Sequence, residues 1–294
     1  MIGVGSASIG RQARPRGLVV LWRRLLRSPA TLAGLAIVLF FVAMAVFGPA
    51  ISPYPFYEQR FAERLQPPSP AHWFGTDVLG RDVFSRVMVG SRDIFLLSGS
   101  GTVLAVLAGL SAGLFSGYYG GVLDEVAMRV MDVLLSIPAL LLALLLLATV
   151  GPSHANVVLV VAVLYTPMVS RVVRSVVLDL KSKEFVEAAR IRGESGLYIM
   201  FREILPNTFP SLVVEAAARF SYSIFLVASL GFLGLGVQPP SPDWGLMVAE
   251  ARDSYALAPW TLIFPSAAIS LLIVGVSLAS DGLRRLLRPG ITGE

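Results

Sequence analysis

The sequence predicts an all-α membrane protein with six transmembrane helices, on three observations. Of its 294 residues, 55% are hydrophobic, and the mean hydropathy is +0.73. Only 15% of the residues are charged, against about 25% in typical globular domains. The apolar residues also gather in runs that are long enough to cross a bilayer. We therefore expect the solvent of this chain to be largely lipid.

The six spans follow from the length that a helix needs to cross a bilayer. About 20 predominantly apolar residues cover roughly 30 Å of hydrocarbon at 1.5 Å per residue. Six segments meet or approach this length, at residues 29–51, 94–116, 130–150, 156–173, 208–235 and 260–279. The first segment exceeds the 7–15 apolar residues of a secretory signal peptide, so we interpret it as an uncleaved anchor.

The distribution of Lys and Arg predicts the orientation of these spans. With six spans, 17 basic residues fall on one side, six fall on the other, and Arg219 lies within the fifth span. Basic residues favour the cytoplasmic side of a membrane, so both termini and the loop 174–205 are predicted to be cytoplasmic. The loops 52–93 and 237–259 are then extracytoplasmic.

The first 28 residues differ from the rest of the chain. They contain six Arg and no acidic residue, which predicts a basic cytoplasmic arm at 1–28 ahead of a transmembrane domain at 29–294. Attraction to anionic membrane lipid is sufficient to explain such an arm, and we expect no nucleic-acid partner.

Small residues and prolines indicate a packed bundle rather than isolated anchors. Gly109, Gly113 and Gly117 recur every four residues in the second span, so they share a face on which another helix can approach closely. Pro138 and Pro167 are predicted to kink the third and fourth spans. Kinked, tightly packed spans favour a pore or a carrier over a simple tether.

The segment from residue 184 to 207, EFVEAARIRGESGLYIMFREILPN, is unusually polar for this chain. It predicts a helix that ends at Gly193, a second short helix at 197–201, and Pro206 in the first turn of the fifth span. One side of the first helix would carry residues at three- and four-residue spacings, namely Phe185, Ala188, Ala189 and Arg192. Two interpretations remain open from the residues alone: a face that another protein contacts, or an interfacial helix that rests on lipid headgroups.

Several classes of chemistry are excluded by what the sequence lacks. There is no Cys, and the two His residues lie far apart, so we expect no metal site and no catalytic constellation. A P-loop requires G-x-x-x-x-G-K-[ST], yet the only lysines are Lys181 and Lys183, in LDLKSKEF. The chain is therefore not predicted to be an enzyme, and energy for any transport would come from a partner.

Four polar residues in the fifth span are candidates for a translocation path. Glu215 and Arg219 stand four residues apart, so they can pair on one helical face, and Tyr222 and Ser223 follow one turn later. Ionisable residues inside a membrane usually face protein or water. A polar lining of a path and a purely structural pair are both consistent with the sequence.

Five segments carry a resemblance to a known family, and they occur in that family's order from about residue 70 onward. The sequence resembles the C-type permease subunit of the dipeptide/oligopeptide/nickel group of ABC importers. The matching segments are FGTDVLGRDVFSR (74–86), GYYGGVLDEVAMRVMD (117–132), SRVVRSVVLDLKSKEFVEAARIRG (170–193), SLGFLGLGVQPPSPDWG (229–245) and DGLRRLLRP (281–289).

The resemblance implies a type I importer permease fold in the bacterial cytoplasmic membrane. It implies that the loop 174–205 couples to an ATPase through an EAA motif, whose candidate residues are Glu184, Glu187, Ala188, Ala189, Arg190 and Gly193. The implied partners are a second homologous permease subunit in a heterodimer, two ATP-binding subunits and an extracytoplasmic solute-binding protein. ATP and Mg would bind to the ATPase subunits, and no cofactor would bind to this chain.

The implied cargo is a dipeptide or an oligopeptide, with nickel or another small solute of the same group as the alternative. Glu203 departs from the family pattern, in which His is frequent, and would alter the electrostatics of the ATPase contact. The C-terminal Arg288-Pro289-Gly290 replaces a frequent Asp-Pro-Arg pattern. A secondary transporter is the alternative from another class, although the sequence shows no convincing internal repeat.

Overall fold

The computed structural model describes residues 28–287. The predicted basic arm, up to residue 27, lies outside the described residues, and so does the sequence Arg288-Pro289-Gly290. Within the described range the backbone forms helices and loops, with one isolated antiparallel bridge between Thr76 and Asp82. The predicted all-α class is confirmed.

The helices are numbered in chain order. They are α1 (Pro29–Ile51), α2 (Val83–Tyr119), α3 (Gly121–Ser136), α4 (Ala139–Val150), α5 (His154–Lys181), α6 (Glu184–Ile191), α7 (Gly196–Phe232), α8 (Trp244–Glu250) and α9 (Trp260–Leu287). Short 3₁₀ turns lie at Phe61–Glu63 and Ala251–Asp253. Helix α2 begins well before residue 94, so it extends into the segment that was predicted as an extracytoplasmic loop.

Five of these helices, α1, α2, α5, α7 and α9, are long and apolar enough to cross a membrane. The predicted third span is instead a broken pair, because α3 and α4 meet at an angle of 92°. Ile137 is extended there, with φ −96° and ψ 130°, since the ring of Pro138 disfavours helical geometry in the residue before it. Pro138 thus breaks a span as predicted, whereas α5 continues through Pro167.

Helices α2 and α5 pack as a close parallel pair. A Cβ atom on Gly101, Gly109 or Gly117 would lie within about 3 Å of Val161, Val169 or Val177, respectively. The predicted glycine face therefore lies in the close contact between α2 and α5. Because the two helices are parallel, residues 120–153 must return across the layer once, so the bent pair α3–α4 counts as the sixth span.

The first and last helices are antiparallel. Gly34 lies against Ala279, and Gly282 lies against Thr31, so the start of α1 and the end of α9 are on the same side of the bundle. This arrangement agrees with an even number of spans.

Two hydrophobic clusters hold the bundle together. The larger one joins α1, α2, α4, α5, α7, α8 and α9 around residues such as Ile94, Leu147, Trp244 and Leu272. The smaller one lies at the end of the bundle that carries α6, which the charge bias predicts to be cytoplasmic. The smaller cluster is thus a separate packing unit, and it includes the buried residues of α6.

Candidate functional site

Helix α6 is a well-defined helix with a glycine stop. Glu184 and Glu187 lie in its first turn and Arg190 lies in its last, which complements the helix dipole. Gly193 has φ +78°; its amide donates to the Arg190 carbonyl at 2.9 Å, and the Glu194 amide donates to the Ala189 carbonyl at 3.2 Å. This pair of bonds is a Schellman motif, so the predicted helix end at Gly193 is confirmed.

One side of α6 is built into the protein. Val186 and Ala189 have no exposed surface, and they join the smaller cluster with residues from three spans, namely Leu114 of α2, Val169, Val173 and Val177 of α5, and Ile199, Met200, Ile204 and Leu212 of α7. The prediction that Ala188 and Ala189 share one outward face is wrong. Successive helical residues differ by about 100° in direction, so Ala188 points outward while Ala189 packs inward.

The other side of α6 is free within the described chain. Glu184, Glu187, Ala188, Arg190 and Gly193 are all exposed. Ile191, on the same outward side, is 82% exposed, which is unusual for a large apolar side chain. A Cβ atom built onto Gly193 meets nothing within 4 Å. The loop therefore presents an accessible helical surface on a rigidly anchored base.

Glu203 has a partner within the chain. Arg192 lies 3.5 Å from Glu203 and 3.7 Å from Glu194, so the residue that departs from the family pattern joins the end of α6 to the start of α7. The sequence separation of Arg192 and Glu203 gave no periodic signal for this contact.

The predicted second short helix at 197–201 is not a separate element. Ser195 caps a helix at the Tyr198 amide with a distance of 3.2 Å, and this helix continues to Phe232. Pro206 lies in the first turn of the α-helical part of α7, Leu205–Phe232, as predicted. A π-helical stretch lies at Ile199–Ile204, where the Leu205 amide donates to the Met200 carbonyl. It precedes Pro206 and adapts the backbone hydrogen bonds of the helix to the missing N–H group of the proline.

The predicted polar residues of the fifth span only partly share a face. Arg219 pairs with Glu215 at 2.8 Å, as predicted, and its guanidinium lies 5.0 Å from the ring centre of Tyr222 and 5.9 Å from that of Tyr165. Tyr222 is exposed. Ser223 is fully buried and lies 3.0 Å from the Thr102 hydroxyl of α2, because the next residue along a helix turns towards the neighbouring span.

A groove lies on the side of α7 that carries Tyr222. Phe225, Ser229 and Phe232 line a cavity of about 410 Å³ together with Ser266 and Ser270 of α9. The groove is mainly apolar with a few hydroxyl groups. No pattern in the sequence indicates this groove, since its walls come from helices far apart in the chain.

At the opposite end of the bundle from α6, buried charges join the start of α2 and the loop before it to the end of α8. Arg86 Nη1 donates to Asp77 at 2.7 Å and to Glu250 at 2.8 Å, and Arg81 bonds the same two carboxylates at 2.6 and 2.7 Å. Arg86 is 1% exposed. Glu250 is 164 residues from Arg86, so sequence reasoning missed this network.

Asp243 is the buried N-cap of α8. Its Oδ1 accepts from the Leu246 amide at 2.8 Å, and it packs against the backbone of Gly231. Burial raises the pKa of Asp243 to about 7, because an ionised carboxylate loses its hydration there.

The fold and these features define a multi-pass membrane transport component with an anchored helical loop on one side. The chain belongs to the family of binding-protein-dependent transport system inner membrane components, whose sequence profile matches residues 109–293. Residues 18–68 match the N-terminal transmembrane domain of oligopeptide transport permease C. It is therefore a C-type permease of an ABC importer and a multi-pass protein of the bacterial inner membrane.

Curated relatives cover almost the whole chain. The dipeptide transport system permease protein DppC of Alkalihalophilus pseudofirmus is 38% identical over 91% of this chain and 88% of its own length. The glutathione transport system permease protein GsiD of Pectobacterium atrosepticum is 43% identical over 91% and 89%. The probable D,D-dipeptide transport system permease protein DdpC of Escherichia coli strain K12 is 39% identical over 97% and 95%.

Proposed function

We propose that this permease forms half of the translocation pathway of an ATP-driven importer of dipeptides or oligopeptides. The cargo is inferred from the relatives, which are named for dipeptide, D,D-dipeptide and glutathione transport. A second, homologous permease subunit completes the pathway, two ATPase subunits bind below it, and a solute-binding protein delivers the cargo from outside. ATP and Mg bind to the ATPase subunits, and this chain needs no cofactor.

The anchoring of α6 is the observation that carries the proposed mechanism. Val186 and Ala189 fix the helix to α2, α5 and α7 through one dry cluster, and packed interiors transmit displacement because they deform little. When the ATPase subunits close on ATP, they displace the exposed side of α6. The displacement then tilts the spans that share its cluster, and the pathway opens to the other side.

The exposed residues of the loop are the proposed contacts with the ATPase. Glu184, Glu187, Ala188, Arg190 and Gly193 face outward, so each is available to a partner. Ala189 has a different role in this proposal, since it anchors the helix from beneath. The salt bridge between Arg192 and Glu203 holds the loop against α7.

The proposed path follows the side of α7 that carries Glu215, Arg219 and Tyr222, of which Tyr222 is exposed and the two charged side chains are mostly buried. Glu215 and Arg219 present opposite charges beside Tyr222, a combination that suits the charged ends and the amide groups of a peptide. Ser223 supports this stripe from behind through its contact with Thr102 and does not touch the cargo.

Adjacent alanines provide a sharp test of ATPase docking. The chain contains no Cys, so Ala188→Cys and Ala189→Cys each introduce one thiol, the first exposed and the second buried. In membranes that hold the complete transporter, we expect a short cross-linker with one thiol-reactive and one photoreactive end to join Ala188→Cys to an ATPase subunit and to leave Ala189→Cys unreacted. Absence of an ATPase adduct at position 188 would overturn the docking proposal.

Reconstitution tests the energy source and the cargo. The complete transporter in vesicles should take up a labelled dipeptide in the presence of ATP and binding protein, and unlabelled peptide should compete. Uptake driven by a proton or sodium gradient without ATP would overturn the ATP-driven mechanism. Uptake of nickel with no response to peptide would overturn the assignment of cargo.

A further inference from the structure

The groove beside α7 lies in the half of the bundle opposite α6, where α7 ends and α9 begins. It is bounded by residues of α4, α7, α8 and α9, and its volume is about 410 Å³. Sites for small molecules in proteins have volumes of about 300–1,000 Å³. The groove lies towards the lower end of this range, so its size suits a short peptide better than a long one.

The walls of the groove combine apolar side chains with hydroxyl groups. The apolar part includes Phe225, Phe232 and Ile269, and the hydroxyl groups belong to Ser229, Ser266 and Ser270. A peptide carries the same combination, because its backbone amides need hydrogen-bond partners wherever its apolar side chains are buried. A lipid tail has no group that can bond to a hydroxyl. The composition of the walls therefore favours a peptide as the occupant.

Arg252 lies at the outer rim of the groove. Its guanidinium carbon is 4.6 Å from the ring centre of Phe232, and it follows the lining residue Val248 by about one helical turn. Stacking on an aromatic ring holds a guanidinium in place and leaves its N–H edges free to bind a carboxylate through two parallel bonds.

Arg252 has no counterion within the described chain. The residue is exposed and forms no ion pair with any residue of the range 28–287, the adjacent Asp253 included. The carboxylate of the nearby Glu250 accepts hydrogen bonds from Arg81 and Arg86 at 2.7 and 2.8 Å. The rim of the groove thus presents a cation that is available to an anionic ligand.

The groove also adjoins the proposed path. Tyr222, Phe225, Ser229 and Phe232 follow one another at intervals of three, four and three residues, so they lie on one face of α7. The ring centre of Tyr222 is 5.0 Å from the Arg219 guanidinium. A ligand that leaves the groove along this face next meets the polar residues of the path.

We propose that this groove is a cargo site, in which Arg252 binds the C-terminal carboxylate of a short peptide and the aromatic wall binds an apolar side chain. The inference rests on the proposed function, which supplies the peptide. It adds the residue that recognises one end of the cargo and a preference for apolar side chains. Unmodified peptides of every sequence carry a C-terminal carboxylate, so one arginine can bind many cargoes.

Charge variants of Arg252 test this role in the complete transporter in vesicles. Arg252→Gln removes the cation, Arg252→Lys keeps it, and Arg64→Gln removes another exposed arginine from the predicted extracytoplasmic side. With one peptide-loaded binding protein throughout, we expect uptake per assembled complex to fall several-fold in Arg252→Gln. The Arg252→Lys and Arg64→Gln variants should retain most of the uptake. Normal uptake by Arg252→Gln would overturn the proposal.

ATP hydrolysis distinguishes a cargo contact from a contact with the binding protein. The loaded binding protein should stimulate hydrolysis equally in Arg252→Gln and in the wild type, because the proposed contact is with the peptide. Loss of this stimulation together with uptake would assign Arg252 to docking of the binding protein and would overturn the proposal.

A dipeptide with a photoreactive apolar side chain locates the site directly. In the assembled transporter without its binding protein, we expect adducts within residues 225–233 or 266–270 of this chain. The unlabelled dipeptide should block them at least several-fold better than the same dipeptide with an amidated C-terminus, and Arg252→Gln should abolish this difference. Adducts only elsewhere, or equal competition by the two dipeptides in the wild type, would overturn the proposal.

The proposed function is judged separately, by ATP-driven peptide uptake of the wild-type transporter. If that uptake is present while Arg252→Gln behaves normally and the probe labels other residues, only the assignment of the groove is wrong.

Discussion

Gly113 of α2 packs directly against the backbone of Ser170 in α5. A Cβ atom built onto Gly113 would lie 2.5 Å from the Ser170 carbonyl oxygen and 2.8 Å from the Cβ of Val173. Neither neighbour is the flexible end of a side chain, so the two helices would have to separate to admit even one methyl group. The parallel pair that frames α6 and the path thus depends on the absence of a side chain.

We therefore predict that Gly113→Ala destabilises the protein, whereas Gly99→Ala on the same helix does not. The nearest atom to a Cβ on Gly99 is 3.9 Å away, and alanine favours a helix over glycine by about 1 kcal/mol. Thermal unfolding in detergent measures the effect. Equal midpoints for the two variants would contradict the close contact.

Gly193 tests the outward side of α6 without disturbing its packing. Both Asn and Asp tolerate the left-handed backbone of Gly193 better than most residues, so Gly193→Asn and Gly193→Asp differ mainly in charge. We expect the Asp variant to remain in the membrane but to lose most ATP-driven uptake, because it adds a carboxylate to the proposed ATPase contact. The Asn variant should retain more ATP-driven uptake than the Asp variant. Uptake and ATP hydrolysis are measured side by side, and normal uptake by the Asp variant would count against docking at this residue.

The pair of Glu215 and Arg219 tests the proposed path. Replacing both, as Glu215→Gln with Arg219→Gln, removes two charges together and leaves neither one unpaired. We expect assembly to persist and peptide uptake per assembled complex to fall several-fold. Ser223→Ala is the control: it loses a buried hydrogen bond of about 1 kcal/mol and should leave uptake per complex unchanged. An unaffected double variant would assign the pair a structural role only.

Arg86 is predicted to be essential to the extracytoplasmic end of the bundle. Arg86→Met leaves Asp77 and Glu250 with only Arg81 between them, and removing one partner from a buried ionic group typically costs about 3–5 kcal/mol. The half-buried surface pair of Glu58 and Arg60 supplies the control, since Glu58→Gln should change stability little. The measurement is the thermal unfolding midpoint of each variant. Similar midpoints would show that the network of Arg86, Asp77 and Glu250 contributes little to stability.

The raised pKa of Asp243 predicts that the stability of the protein depends on pH. The folded protein holds the Asp243 proton up to about pH 7, whereas an unfolded chain releases it near pH 4. Folding therefore takes up a proton between these values, and the free energy of unfolding falls as the pH rises through the window, by roughly 1.4 kcal/mol per pH unit at most.

Asp243→Asn isolates this contribution, because the amide cannot ionise and Asn remains a good N-cap. Above pH 7 the contribution of Asp243 is lost and the curve should level off. We expect a flatter dependence of the unfolding midpoint between pH 5 and pH 7 in the variant than in the wild type. Parallel curves would contradict the buried, protonated carboxyl.

Local patterns in the sequence predicted those features that depend on neighbouring residues. The glycine stop of α6 and the pairing of Glu215 with Arg219 require only the geometry of one helix, and both were predicted. The side of α6 that packs inward was not predicted, because which of Ala188 and Ala189 is buried depends on where α5 and α7 lie. The link from Arg86 to Glu250 was missed for the same reason, since it spans most of the chain.

The sequence by itself determined the membrane class, the approximate spans, the break at Pro138 and the family, because hydropathy, backbone chemistry and motif order are written along the chain. Only the tertiary structure decided which side of α6 is anchored, how sharply α3 and α4 bend against each other, and that Ser223 faces α2. Those outcomes depend on which helices meet, and helix contacts are set by packing between residues that are distant in sequence.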